Sequence, residues 1–167
     1  YTHNISFVGS LYTEKCPYDK VKNLSPKISG YLHGIMKAQE KIYGYYFVEE
    51  LLSDELVDEF VKNYDGYYLA GEEDLLTKKR TLAQFYIGNK ITAMERVDTF
   101  KYLSEKFEVD IYTASDTKEI PKLKNHGTIM THTQMPIVFN KSTINLNPTS
   151  KPIRSGIPLR IFDLLAC

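Results

Sequence analysis

The chain lacks a surplus of charge of either sign. It carries 21 basic and 21 acidic residues, so its formal net charge at pH 7 is zero. No overall electrostatic field therefore draws it to nucleic acid or to an acidic membrane surface, and recognition must depend on local groups. The sequence also has no run of about 18 apolar residues, which predicts that no helix spans a membrane.

Cysteine is scarce as well. Cys16 and Cys167 are the two cysteines, and two do not make a disulfide framework. A reducing compartment is the default for such a chain, so we expect a cytoplasmic protein. The histidines at positions 3, 33 and 126 show no metal-ligand spacing with cysteines or carboxylates, which predicts no metal site.

Three motifs that would identify a common phosphate or nucleophile site are missing. The sequence contains no G-x-G-x-x-G, which argues against a dinucleotide site, and no G-x-x-x-x-G-K phosphate loop. It contains no G-x-S-x-G nucleophile elbow. These absences argue against the dinucleotide-binding, P-loop and α/β-hydrolase interpretations.

The pattern that is present indicates one α/β domain over residues 1–167. Residues 25–106 are almost wholly helical in pattern, with Ser25 as an N-cap and with Ser53-Asp54-Glu55 opening a second helix on acidic residues. Apolar strand patterns and helical patterns alternate in the second half, which favours a parallel sheet. We predict a Rossmann-like sheet with a helical segment after the first strand, and an α/β part over residues 1–24 and 107–167. The predicted strands cover residues 5–9, 109–113, 127–132 and 144–147, and short helices cover residues 135–141 and 157–166.

A helix-rich stretch inside an α/β chain has three interpretations. It is either an insertion packed on the edge of the sheet, or a cover that contacts another domain. A third possibility is that it forms an oligomerisation surface, which would make the chain an assembly module.

The last residues, RSGIPLRIFDLLAC over positions 154–167, carry most of the functional information. They predict a helix that opens on glycine and proline, and exposed backbone N–H groups at a helix start bind phosphate. Asp163, one or two turns into this helix, is suited to charge-assisted hydrogen bonds with sugar hydroxyls. Arg154 and Arg160 flank the helix start, and the planar guanidinium suits a diphosphate.

Four segments resemble one protein family. They are the C-terminal run, TQMPIVFNKSTINLN at positions 133–147, FVGSL at 7–11 and VDIYT at 109–113. Together they resemble the nucleotide-sugar domain of two-domain (GT-B type) glycosyltransferases, most closely the spore-maturation CgeB-like bacterial branch. The resemblance implies one Rossmann-like half of a GT-B enzyme. The abrupt ends of the chain lead us to expect a piece truncated on both sides.

The resemblance also implies roles for particular residues. Asp163 would hold the ribose hydroxyls, whereas Ser155 stands where many relatives carry a second glutamate. Thr133 and Gln134 would lie against the base, and Gly9 and Ser10 would face the cleft between domains. The full set of candidate nucleotide-sugar residues is Gly9, Ser10, Thr133, Gln134, Arg154, Ser155, Gly156, Ile157, Arg160 and Asp163.

No cofactor is expected beyond the nucleotide sugar itself. The D-x-D pair with which single-domain glycosyltransferases hold a metal is missing, so the resemblance implies metal independence. The catalytic base would lie on an N-terminal domain outside this chain, so no catalytic residue is named. We expect the fragment to bind a nucleoside-diphosphate sugar but not to turn it over, and its acceptor is unidentified.

Two other functions stay open at this point. A non-catalytic interaction domain could retain the fold and lose the chemistry, and Ser155 in place of a carboxylate favours it. A flavodoxin-like or receiver-like phosphate-binding domain would need clustered acidic residues at strand ends, and Asp110 alone does not supply them.

Overall fold

The computed structural model describes residues 2–14, 16–65, 77–153 and 155–167. A first strand is followed by a mainly helical stretch, after which strands and helices alternate. The strands are β1 (His3–Val8), β2 (Val109–Tyr112), β3 (Lys124–Asn125) and β4 (Ser142–Asn145). The α-helices are α1 (Pro26–Lys41), α2 (Asp54–Lys62), α3 (Lys78–Thr81), α4 (Gly88–Lys106), α5 (Met135–Lys141) and α6 (Leu159–Leu165). A π-helix, Leu82–Ile87, joins α3 to α4, and 3-10 turns lie at Pro17–Lys20 and Val48–Leu51.

The described strands form one sheet in the order β3-β2-β1-β4. Every pairing is parallel, with Ile5 beside Val109 on one side of β1 and beside Ile144 on the other. Parallel strands need crossover connections. Helices lie between β1 and β2 and between β3 and β4, whereas a loop over residues 113–123 connects β2 to β3. The prediction of an α/β, Rossmann-like parallel sheet with a helical segment after the first strand is confirmed.

The chain divides into two compact units. Among the described residues, the sheet unit comprises residues 2–14, 95–149 and 155–167, and the helical unit comprises residues 16–65, 77–94 and 150–153. Helix α4 contributes residues to both.

Each unit has its own apolar core. In the sheet unit, the alternating side chains of β1 and β2 are buried against the end of α4. The buried hydrophobic cluster at this place comprises Ile5, Phe7, Leu11, Phe100, Val109, Ile111, Ile120 and Leu123. In the helical unit, the ring of Phe60 lies within 6.0 Å, between centroids, of the rings of Tyr18, Tyr64 and Tyr86. These four aromatic residues therefore serve packing, as amphipathic tyrosines commonly do.

Two helices begin at serine caps, of which the sequence predicts Ser25. The Oγ of Ser25 accepts from the backbone N–H of Ile28 at the start of α1. The Oγ of Ser53 accepts from the N–H of Leu56 at the start of α2, at 3.3 Å. Each bond satisfies one of the N–H groups that a helix start leaves without an intrahelical partner.

Replacing Ser53 with alanine should lower the free energy of unfolding by about 1 kcal/mol, because a capping acceptor is lost. Chemical denaturation with a fixed m-value measures the change. Ser29→Ala is the matched control, since Ser29 is an exposed serine inside α1. An equal loss in both variants would mean that the cap contributes nothing.

The strand predicted over residues 127–132 is wrong. The third strand is instead Lys124–Asn125, which pairs with Asp110 and Ile111 of β2. Gly127 adopts a positive φ of 76°, which turns the chain away from the sheet, and Met130 beyond it is 66% exposed. A short apolar run alone does not distinguish a buried strand from an exposed loop.

No helix in the part of the chain that the structure describes combines the length and apolar character that crossing a bilayer requires.

Candidate functional site

The sheet has one point at which its winding reverses. From β1 the chain proceeds to β2 and β3 on one side, and it later returns to β4 on the other side of β1. Open parallel sheets bind ligands at such a switch point, outside the carboxyl ends of the strands. The loop after β1 (residues 9–14, the β1 loop) and the loop after β4 (residues 146–149, the β4 loop) therefore flank the favoured position.

At the start of the β1 loop, the backbone of Gly9 lies close to the ring of Phe7. A Cβ atom on Gly9 would lie 2.9 Å from Cζ of Phe7, so any larger residue would displace that ring. The Oγ of Ser10 accepts from the N–H of Tyr12 at 2.8 Å and donates to Oε1 of Glu14 at 3.1 Å. The predicted ligand residue Ser10 thus uses its hydroxyl within the loop, and only its carbonyl faces a neighbouring element.

Further hydroxyl groups form hydrogen bonds with the β1 loop. The Oγ of Ser115 accepts from the N–H of Leu11 at 2.8 Å, which joins this loop to the segment after β2. Burial raises the pKa of Glu14, but hydrogen bonds from its own backbone N–H and from three hydroxyls lower it by more. The pKa of Glu14 therefore lies below its ordinary value, and the carboxylate is an acceptor inside the loop.

Arg96 of α4 occupies the switch point. Its Nη1 donates to the carbonyl of Ser10, and its Nη2 donates to the carbonyl of Pro148 at 2.7 Å. Its guanidinium carbon lies 4.9 Å from the ring centroid of Tyr12 and 5.6 Å from that of Phe7. Burial lowers the pKa of Arg96, yet an arginine stays charged. Among the described residues no carboxylate forms an ion pair with it, so the carbonyls and rings are its observed partners.

Sequence reasoning missed Arg96. A signal existed, because Arg96 lies four residues after Thr92 and four before Phe100, and both of these are buried. A charged residue on the buried stripe of a helix is uncommon unless it has a partner. Its acceptors lie 86 and 52 residues away along the chain, so the sequence did not identify them.

The C-terminal candidates lie on a short helix. Helix α6 begins at Leu159, and Ser155, Gly156 and Ile157 precede it as exposed residues. Its N-cap position is Pro158, whose side chain makes no capping hydrogen bond. The helix start is therefore two residues later than the sequence predicts, and the predicted residue Arg154 lies outside the described residues.

Arg160 and Asp163 are brought together by the structure. Nη1 of Arg160 lies 3.0 Å from Oδ2 of Asp163, one turn along α6, and also contacts Sδ of Met135. The Arg160 guanidinium lies 5.6 Å from the ring centroid of Phe139 on α5. About 43% of the Asp163 side chain is exposed, so solvent reaches this carboxylate.

Thr133 and Gln134 lie in an exposed turn immediately before α5. Oε1 of Gln134 accepts from the N–H of Met130 at 2.8 Å, which fixes this turn. In the described part of the chain, no hydrogen bond or ion pair joins this turn, or the α6 candidates, to Gly9 or Ser10. The structure thus places the candidates in three local groups: Gly9 and Ser10 beside Arg96, the turn of Thr133 and Gln134, and the residues of α6 and its start.

A carboxylate with two imidazole partners lies elsewhere on the sheet unit. Oδ2 of Asp110 lies 3.0 Å from Nδ1 of His3, and its Oδ1 lies 2.6 Å from Nε2 of His126. Nε2 of His3 is in turn 3.2 Å from the hydroxyl of Tyr112. Burial raises the pKa of Asp110, but hydrogen bonds from His126 and His3 together bring it below its ordinary value. The network links β1, β2 and the end of β3.

Across residues 2–14, 16–65, 77–153 and 155–167, no three His, Cys, Asp or Glu side chains are placed to hold one metal ion. In the Asp110 network, Nδ1 of His3 and Nε2 of His126 each lie within hydrogen-bond distance of one carboxylate oxygen, so the three side chains form a hydrogen-bonded cluster.

Comparison of the chain with protein-family models, with curated proteins and with solved structures gives no match. The glycosyltransferase resemblance therefore stays a prediction, and its residue roles depend on the quoted segments alone.

Proposed function

We propose that the chain binds a nucleoside-diphosphate sugar as the donor part of a glycosyltransferase. The observation that carries this proposal is the position of Arg96, a cation without a carboxylate partner among the described residues, at the switch point of a parallel sheet. Anionic ligands collect at such points in α/β folds. The diphosphate is the anionic part of this donor.

The α6 group supplies the second part of the proposed site. Asp163 offers its partly exposed carboxylate to two vicinal ribose hydroxyls, and Arg160 beside it neutralises charge. Transfer would then take place with an acceptor bound by an N-terminal domain, as the family resemblance implies. No residue of this chain is assigned as the catalytic base, and the proposed compartment is the cytoplasm, consistent with the free thiols of Cys16 and Cys167.

A nucleotide should raise the melting temperature of the protein. A ligand that binds only the native state adds RT ln(1 + [L]/Kd) to stability, about 1.4 kcal/mol at a tenfold excess over Kd. Thermal melting with millimolar UDP, GDP, ADP and dTDP tests this and identifies the base. We expect one of the four to raise the melting temperature.

Variants locate the site. Asp163→Asn should remove the nucleotide-induced shift, whereas Asp116→Asn, an exposed carboxylate in a loop of the same unit, should retain it. A full shift in Asp163→Asn would contradict the ribose assignment. A folded protein that responds to none of the four nucleotides, nor to the corresponding nucleotide sugars, would contradict the proposed function.

A non-catalytic interaction domain is the second candidate, and one observation favours it. Leu159, Phe162 and Leu165 follow one another at three-residue spacing on α6 and are 83%, 56% and 80% exposed. Contiguous exposed apolar side chains mark interaction surfaces. Nucleotide binding separates the two candidates, because the interaction domain requires none.

A further inference from the structure

Arg96 joins two loops that are distant in sequence. One nitrogen of its guanidinium donates to the carbonyl of Ser10 in the β1 loop, and another donates to the carbonyl of Pro148 in the β4 loop. These loops flank the switch point from opposite sides. The planar fork of arginine presents several donors in fixed geometry, which a lysine ammonium does not reproduce.

The environment of Arg96 is costly for a charge. Its Nε is buried and has no hydrogen-bond partner among the described residues. Its charge is held by carbonyl dipoles and by the faces of two aromatic rings. Leaving a buried donor unsatisfied costs free energy, so pure packing would favour an apolar residue of similar volume here.

The β1 loop holds a rare backbone conformation next to this guanidinium. Tyr12 has a φ of 64°, and a bulky residue in the left-handed region is a genuine outlier. The ring of Tyr12 lies under Arg96, and its N–H is bound by the Oγ of Ser10. Conformations of this kind persist where surrounding contacts enforce them, and they are concentrated at functional sites.

We infer that Arg96 is a positioning residue that sets the separation of the β1 loop and the β4 loop, and thereby shapes the crevice for a phosphate-bearing ligand. Besides the charge that favours an anionic ligand at the switch point, Arg96 acts on the ligand through the positions of the two loops. The ligand part of this inference depends on the proposed function, whereas the coupling of the two loops does not.

Amide hydrogen exchange tests the coupling in Arg96→Lys and Arg96→Gln. The reporters are the N–H groups of Leu11 and Tyr12 in the β1 loop, which donate to the hydroxyls of Ser115 and Ser10, and of Leu146 in the β4 loop, which donates to the carbonyl of Ser6. Exchange should become at least tenfold faster in both loops, in both variants, while Val109 in the core of β2 retains its rate. Lys101→Gln removes a charge from the exposed side of the same helix and should change none of these rates.

Nucleotide titration at a temperature well below melting tests the effect on the site. With whichever of UDP, GDP, ADP or dTDP shifts the wild-type melt, Kd should rise at least tenfold in both Arg96 variants and stay unchanged in Lys101→Gln. A merely structural arginine would lower the melting temperature without changing Kd.

Several outcomes overturn the inference. If Arg96→Lys retained the exchange rates and the Kd of the wild-type protein, the positive charge alone would be responsible, and the fork of the guanidinium would not. Faster amide exchange in one loop only would show that Arg96 does not couple the two loops. An equal increase in the exchange rate of Val109 would show that Arg96 stabilises the whole unit without a specific effect on the loops. If the wild-type protein binds no nucleotide, the proposed function fails, and the exchange rates of the two loops alone decide the positioning role.

Discussion

Replacing Phe100 with alanine should lower the free energy of unfolding by about 3–5 kcal/mol. Phe100 is fully buried in the core of the sheet unit, and its ring centroid lies 5.0 Å from that of Phe7. The substitution removes buried apolar surface and leaves a cavity that the surrounding strands fill only in part. The loss of an aromatic pair adds to this cost.

Urea denaturation at constant m-value measures the change as a shift of the midpoint. Tyr102→Ala is the matched control, since Tyr102 is an aromatic residue of the same helix that is 57% exposed. Its contacts are with the Nζ of Lys106 at the surface, so its removal should change stability little. Phe100→Leu retains most of the apolar volume and should recover part of the loss. Equal losses at both aromatic positions would contradict the burial argument.

Phe100 also bears on the candidate site, through Phe7. The ring of Phe7 lies between the core and the β1 loop, because its Cζ blocks any side chain at Gly9 and its face contacts Arg96. A cavity behind Phe7 allows that ring to move. The stability of the core and the shape of the β1 loop are therefore connected through one side chain.

Local signals in the sequence predicted the fold well. Ser25 was predicted as a cap because an N-cap serine acts on an N–H only three residues away, and Ser53 caps α2 in the same way. The parallel sheet followed from the alternation of strand and helix patterns, which constrains the topology strongly. The predicted strand over residues 127–132 failed because the positive φ of Gly127 outweighs a local apolar pattern.

The candidate site was less predictable. The pair of Arg160 and Asp163 has the three-residue spacing at which helix side chains meet, so it was readable in principle. The role of Arg96 required knowing that Ser10 and Pro148 come together, and tertiary structure alone brings them together. The hydroxyl of Ser10, predicted to face a ligand, is used inside its own loop for the same reason.

Asp110 offers a pH-dependent test of the sheet unit. Its side chain is 9% exposed and accepts one bond from each of two imidazoles on neighbouring strand segments. Since these bonds bring the pKa of Asp110 below its ordinary value in the folded state, its ionised form is favoured by folding. The resulting stability is fully present above the unfolded-state pKa, about 3.9, and is lost as the pH falls through the lower folded-state pKa.

Asp110→Asn should therefore lower the free energy of unfolding at pH 7 by about 2–3 kcal/mol, because two hydrogen bonds lose their charged acceptor. The difference between the variant and the wild type should shrink as the pH is lowered from 5 toward 2, since the wild-type carboxyl then becomes protonated. Urea denaturation of both proteins across this range measures the difference directly.

The control separates charge from shape at this position. Asp116→Asn removes an exposed carboxylate whose partner is Lys118, so it should change stability little at either pH. A difference between Asp110→Asn and the wild type that is the same at pH 7 and at pH 2 would mean that the loss comes from packing. A difference that vanishes on acidification would show that the charge on Asp110 joins β1 to β2 and to the segment after β3. The alignment of β1, β2 and β3 would then depend on one ionised carboxylate. These are the three strands that precede β4 in the chain.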